Sequence, residues 1–159
     1  IITGGEPFLQ QKVLYEFLKN EISCGIDEEV EQIEIETNGT IIPEKIDEFV
    51  GYYNVSPKLS NSGIGRKYRI NEAAIRFFNE SPKTIFKFVI SKLDDWDEIK
   101  RDWIEGVGID KSKIWLMPSA QDRDELSRNL EIVADIAKNE VVKMCSRHQI
   151  SIWDKTTGV

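Results

Sequence analysis

Histidine and cysteine are scarce in this chain: one His, His148, and two Cys, Cys24 and Cys145, among 159 residues. Two cysteines so far apart in sequence suggest no disulfide framework and read as reduced, buried thiols. A lone histidine is more often a hydrogen-bonded structural residue than a catalyst. No run of residues approaches the apolar length of a membrane span, and no secretory signal stands at the start, so the expectation is a cytoplasmic protein with no membrane partner. Positive charge is also short, with 21 Lys and Arg against 28 Asp and Glu and a formal net charge of −7. The densest basic run, Arg66-Lys67-Tyr68-Arg69, is too short to form a stripe, which argues against nucleic acid as a partner. Finally, the chain opens on Ile1 rather than Met, inside what reads as the tail of a strand. A fragment lacking its natural beginning is the expectation.

What is present describes an ordinary globular protein, 40% hydrophobic and 31% charged, long enough for one domain over residues 1–159. Apolar runs suited to strands recur at Ile33–Thr37, Tyr52–Val55, Thr84–Ser91, Lys113–Met117 and Ile150–Trp153. Helical patterns lie between them at Leu9–Ile22, Pro43–Phe49, Asn71–Asn79, Asp94–Gly106 and Asp122–Asn139, with Asn71 and Asp94 as start signals. This alternation predicts an α/β protein with a parallel sheet, either open or a partial barrel. Strand periodicity then sorts charge by face. Ile33 and Ile35 share one face of their strand, so Glu34 and Glu36 share the other. In Thr84–Ile90 the Phe86, Phe88 and Ile90 side chains lie together, opposite Ile85, Lys87 and Val89. In a parallel barrel the face away from the helices is the interior, where carboxylates need a cationic partner, and Lys87 is the natural one. A solvated edge strand is the simpler alternative.

Five segments carry chemistry-bearing residues, four of them where a strand runs out. Ile1-Ile2-Thr3-Gly4-Gly5-Glu6-Pro7 offers open backbone at two adjacent glycines and a carboxylate able to accept from an amine. Ile35-Glu36-Thr37-Asn38-Gly39-Thr40 presents Glu36 and Asn38 at the usual location of sites in βα folds, although Asn38-Gly39 also suits a plain tight turn. Val55-Ser56-Pro57-Lys58 supplies a hydroxyl and a cation, and the following Leu59–Lys67 reads as a mobile loop. Leu116-Met117-Pro118-Ser119-Ala120 offers an apolar and thioether wall, or merely a strand end with a helix cap near Ser119. Near the end come Arg147-His148-Gln149-Ile150-Ser151-Ile152-Trp153 and then Gly158-Val159.

Taken in order, TGGEP, ETNGT, SPK, KFV, MP, an Arg-containing strand ending in Trp and a C-terminal Gly-Val resemble one family along the whole chain, the radical S-adenosylmethionine (SAM) enzyme 7-carboxy-7-deazaguanine synthase. TGGEP and ETNGT are similar to motifs of radical-SAM proteins at large, and the SPK and C-terminal combination narrows the match. The resemblance implies a partial parallel (β/α) barrel of radical-SAM type, with N-terminal βα units missing. It implies a lyase acting on 6-carboxy-5,6,7,8-tetrahydropterin. A [4Fe-4S] cluster cleaves SAM to a 5′-deoxyadenosyl radical, and magnesium-assisted ring contraction with loss of ammonia gives 7-carboxy-7-deazaguanine, a queuosine precursor. By matching positions, Thr3 contacts substrate and Gly5 contacts SAM through its backbone, while Gly4 and Glu6 take the methionine amino group. Asn38, Ser56, Pro57, Lys58, Met117, Pro118, Ser119 and Ala120 join the SAM set. Glu36 is the catalytic candidate near substrate and ribose, and a terminal Val159 carboxylate binds substrate. A flavodoxin or ferredoxin reductant and a homodimer are the implied partners.

The chain also departs from the family pattern. The CxxxCxxC cluster motif is absent, and Cys24 and Cys145 cannot supply it, so cluster and Mg2+ ligands are expected ahead of Ile1. Arg147 falls at the family's Arg, but Gln149 stands at its His, with His148 one step earlier, and Asp154 replaces a Gly after Trp153. Two other readings stay open at this point: a different radical-SAM enzyme, such as one activating a glycyl-radical protein, and a cluster-less binding or interaction domain.

Overall fold

A computed structural model describes residues 1–23 and 32–156 of the chain. Five parallel strands form one sheet in the order β1 (Glu34–Thr37), β2 (Tyr52–Val55), β3 (Thr84–Ile90), β4 (Ile114–Pro118), β5 (Lys143–Met144). Ile2 adds a single parallel bridge beside Ile35 at the β1 edge. The helices are α1 (Gln11–Ser23), α2 (Arg66–Arg69), α3 (Glu72–Glu80), α4 (Asp94–Glu98), α5 (Arg123–Glu140) and α6 (His148–Trp153). A 3-10 turn, Pro7–Gln10, leads into α1, and α4 runs on as a wider π-helical stretch, Ile99–Val107. An all-parallel sheet whose strands follow one another in order, with helical crossovers, is the architecture of a partial β/α barrel.

Alternation along the strands decides where the core sits. β3 alternates buried and half-buried residues from Thr84 to Ile90, with Phe86, Phe88 and Ile90 fully buried under the helices. Trp103 packs edge-on against Phe88 at 5.5 Å, and Tyr53 meets Phe78 of α3 at 5.2 Å. Burial of such rings contributes about 1.5–3 kcal/mol each relative to exposure. Asn71 caps α3 by accepting from the Ala74 amide at 3.3 Å, and α3 turns Ala74, Ile75 and Phe78 inward. On the opposite face the sheet presents Glu34, Glu36, Asn54, Lys87, Trp115 and Met117, most of them half-buried.

Three expected elements differ. Ile150–Trp153 is helical, within α6, and the fifth strand is Lys143–Met144. The alternation Ile150-Ser151-Ile152-Trp153 imitates a strand, but the place beside β4 is already taken by Lys143–Met144. Only Ile150 of that run is buried, while Ile152 and Trp153 are exposed. Pro43–Phe49 yields just the 3-10 turn Lys45–Glu48, pinned by buried Ile46 and Val50. Leu59–Lys67, expected as a loop, contains the 3-10 turn Ser60–Ser62 and the start of α2. Two helix starts fall where expected: Asp94 is the first residue of α4, and the cap expected at or near Ser119 is Asp122, which accepts from the Glu125 amide at 2.8 Å. Cys24, Gly158 and Val159 lie outside the described residues.

Candidate functional site

The strands end together at one edge, and the segments that leave them enclose a cavity of about 320 Å³. The first turn contributes Thr3, Gly4 and Gly5. Both glycines have positive φ, +97° and +54°, and a side chain at either would meet nothing within 4 Å. Their conformation therefore serves the turn, and their peptide groups are open to the cavity. Glu6 points the other way. Its carboxylate accepts from the Thr37 hydroxyl at 2.8 Å, the Asn38 amide at 2.8 Å and the Phe8 amide at 3.2 Å. It thus ties the Gly-Gly turn to the end of β1.

β1 delivers Glu36 to the cavity wall. The Thr3 hydroxyl donates to it at 2.9 Å, Lys87 Nζ lies 3.3 Å away, and Asn54 Nδ2 donates at 3.2 Å. Burial pushes the Glu36 carboxyl up, but the Thr3 hydroxyl and the charges of Lys87 and Lys58 outweigh it, and the net shift is below the ordinary glutamate range. The interior partnership of Lys87 expected from periodicity is present. Glu34 sits one pair further down, with Asn54 Nδ2 at 3.5 Å. Asn54 is 8% exposed and its Oδ1 has no protein partner among the described residues. Behind Asn38, Gly39 holds φ +77°, and a Cβ there would fall 2.7 Å from Val55 Cγ1, so only glycine fits this turn.

Ser56 and Lys58 follow β2 into the same cavity, and Val89, Met117 and Arg147 close it. Arg147 Nε donates to the Pro118 carbonyl at 3.1 Å, which fixes the guanidinium beside the end of β4. A neighbouring recess of about 410 Å³ is lined by Pro57, Lys58, Asn61, Ile64, Ser119 and Arg147. Below the cavity the sheet floor carries Tyr52, Trp115 and Cys145. Burial holds the Cys145 thiol above its ordinary value, against the pull of Lys87 and Arg147, so it stays neutral at pH 7. A separate hollow of about 250 Å³ between α1 and the Lys45–Glu48 turn is remote from these residues.

The structure thus gathers Thr3, Gly4, Gly5, Glu36, Asn38, Ser56, Lys58 and Met117 around one cavity and sets Pro57 and Ser119 in the recess beside it. It does not bring Glu6, Pro118 or Ala120 to the lining: Glu6 braces the turn, Pro118 is buried, and Ala120 packs with Leu126 and Ile150. Asn54 escaped the sequence reading. Its signal lay in the strand register, which pairs it with Glu36.

A parallel sheet flanked by helices, with a ligand-sized cavity at the carboxyl ends of the strands, places the chain in the class of partial β/α barrels. Over 159 residues the chain is 33% identical to a 7-carboxy-7-deazaguanine synthase of Pyrobaculum aerophilum, covering 99% of this chain and 66% of that protein. Enzymes of the same name from Hyperthermus butylicus and Aquifex aeolicus are each 26% identical over 140 residues, covering 86% and 87% of this chain and 56% of each relative. The chain belongs to the 7-carboxy-7-deazaguanine synthase family, and spans between just over half and about two thirds of the length of these relatives. No family model matches it, and no solved structure matches it.

Proposed function

We propose that this chain forms the SAM- and substrate-binding part of a radical-SAM 7-carboxy-7-deazaguanine synthase, acting on 6-carboxy-5,6,7,8-tetrahydropterin. The observation that carries this reading is the convergence of the Gly4-Gly5 turn, Glu36, Ser56, Lys58 and Met117 on one cavity. These residues fit an amino-acid and nucleoside ligand. The exposed Gly4-Gly5 peptide groups can accept from an ammonium, Lys58 can meet a carboxylate, and Met117 offers an apolar surface to a ring. SAM held there would supply a 5′-deoxyadenosyl radical once one electron from a reduced cluster had cleaved it and methionine had left, and that radical would take a hydrogen atom from the substrate.

The chain's own residues then bind and orient. Glu36, kept ionised by Thr3, Lys87 and Lys58, accepts hydrogen bonds from hydroxyl or ring N–H donors. The Asn54 Oδ1 is an acceptor one strand across, and the Arg147 guanidinium faces the same space to pair with an anionic group. Among the described residues no group of three His, Cys, Asp or Glu side chains converges as a metal site. The [4Fe-4S] cluster, Mg2+, a flavodoxin or ferredoxin reductant, a homodimer and a cytoplasmic setting follow from the family resemblance.

Calorimetric titration of SAM into this chain tests the binding half of the reading. Saturable binding that is weakened about tenfold by Lys58→Ala is expected, and absence of any binding heat overturns it. Anaerobic conversion of 6-carboxytetrahydropterin by the complete polypeptide tests the chemistry.

A further inference from the structure

The segment after Lys58 is exposed yet anchored by charges that are not. Residues 60–68 are solvent-facing, whereas Asp95, Glu98 and Arg69 are 1%, 5% and 6% exposed. Helix α4 and its π-helical extension present three acids to this segment. Asp95 accepts from Asn61 Nδ2 at 2.9 Å. Glu98 pairs with Arg69 at 2.7 Å and accepts from the Ser60 amide at 3.0 Å and from the Ser60 hydroxyl. Asp102 lies 3.9 Å from Arg66. Three further bonds connect this ladder to the cavity. Arg69 Nη1 donates to the Lys58 carbonyl at 3.4 Å. Asp95 accepts from the Ser91 amide at 2.7 Å and from the Lys92 amide at 3.1 Å, which fixes the exit of β3. Both walls of the recess beside the cavity, the Pro57–Asn61 side and the Ser91 side, are therefore held by one helix.

A buried ion pair is a poor way to stabilise a fold, since desolvating two charges offsets most of their attraction and a well-packed apolar pair does as well. An apolar pair could not, however, accept from the Ser60 amide or donate to the Lys58 carbonyl. We propose that Arg69 and Glu98, supported by Asp95, are positioning residues that fix Pro57 and Lys58 at the rim of the cavity. This rests on the reading that Ser56-Pro57-Lys58 contacts SAM. None of the three touches the ligand; they act through the backbone of residues 58–61. The departure from α-helical winding after Glu98 fits the same role, because wide turns of this kind recur at functional sites.

The test pairs SAM calorimetry with hydrogen exchange on Arg69→Met/Glu98→Leu, which replaces the ion pair by apolar side chains, and on Ser60→Ala/Asn61→Ala, which removes only exposed anchors. For the first, affinity should fall about tenfold while the melting temperature stays within a few degrees. Amide exchange should quicken about tenfold or more in the 58–63 segment and remain unchanged in β2 and β3. Lys58→Ala should cost less affinity in the double variant than in the parent, because a displaced Lys58 has little left to lose. Parental affinity and exchange in a folded double variant, or a Lys58→Ala effect that simply adds, overturns the proposal. If the double variant does not fold, Ser60→Ala/Asn61→Ala decides, with about a threefold loss expected and parental behaviour overturning. If the parent chain binds no SAM, the functional reading falls, and the exchange comparison alone supports or overturns the clamp.

Discussion

Glu36 is where sequence, packing and chemistry meet on one side chain. Its place on the face opposite Ile33 and Ile35 follows from strand alternation alone, and the pairing with Lys87 follows once β1 and β3 lie in one sheet. The contact with Thr3 was not legible, because it depends on Ile2 pairing beside Ile35. Folded-state lowering of the Glu36 pKa has a definite consequence. The ionised group stabilises the fold at pH above the ordinary glutamate value of about 4.3, and that contribution is lost as pH falls through the depressed folded value. The side chain is 41% exposed, so solvent screening holds the effect to a few tenths up to about 1 kcal/mol. Between pH 5 and pH 3, on the order of two units below neutrality and beyond, Glu36→Gln should therefore lose less stability than the parent. Lys87→Met should move the Glu36 carboxyl titration upward when followed by NMR. A titration unmoved by Lys87→Met would mean that the 3.3 Å pair does not persist in solution.

At the scale of elements, periodicity and caps located most of the architecture because the core demanded them. β1 to β4 fall within a residue or so of their expected places, and Asn71 starts α3 as its side-chain chemistry requires. The failure at Ile150–Trp153 shows the limit of that logic. A two-residue strand such as Lys143–Met144 has no period to read, while a short amphipathic helix can imitate one. The junction between α5 and β5 carries an unfavourable residue. Val141 ends α5 in the left-handed conformation, with φ 55° and ψ 51°, and is 87% exposed. A β-branched side chain is strained there, and with so much of it in solvent its burial returns little. Val141→Gly should stabilise the protein by about 1 kcal/mol in urea unfolding, since relief of strain exceeds the extra freedom glycine gives the unfolded chain. A loss of stability would show that the residue makes packing contacts worth more than its strain.

For the molecule as a whole, net charge and linear charge runs do not show which cations the fold brings together. The chain carries a net charge of −7, yet its strand-end cavity gathers Lys58, Lys87 and Arg147, brought from three separate stretches of sequence. Lys87 is engaged with Glu36, and Arg147 spends its Nε on the Pro118 carbonyl, which leaves Lys58 and the outer guanidinium nitrogens of Arg147 to meet a ligand. An acidic exterior around a cationic cavity favours a ligand that is itself zwitterionic or carries a carboxylate over a polyanion. Screening should then be visible in affinity. Raising salt from about 0.1 M to about 1 M shortens the screening length from about 10 Å to about 3 Å. In calorimetry the binding of a carboxylate-bearing ligand should weaken about threefold to tenfold across that range. Arg147→Gln should lower affinity about fivefold at low salt and flatten the salt dependence, because one of the cations that salt would screen is gone. An affinity indifferent to both salt and Arg147 would place the ligand's carboxylate away from this rim, and the Gly4-Gly5 turn with Glu36 would then have to carry recognition through hydrogen bonds alone.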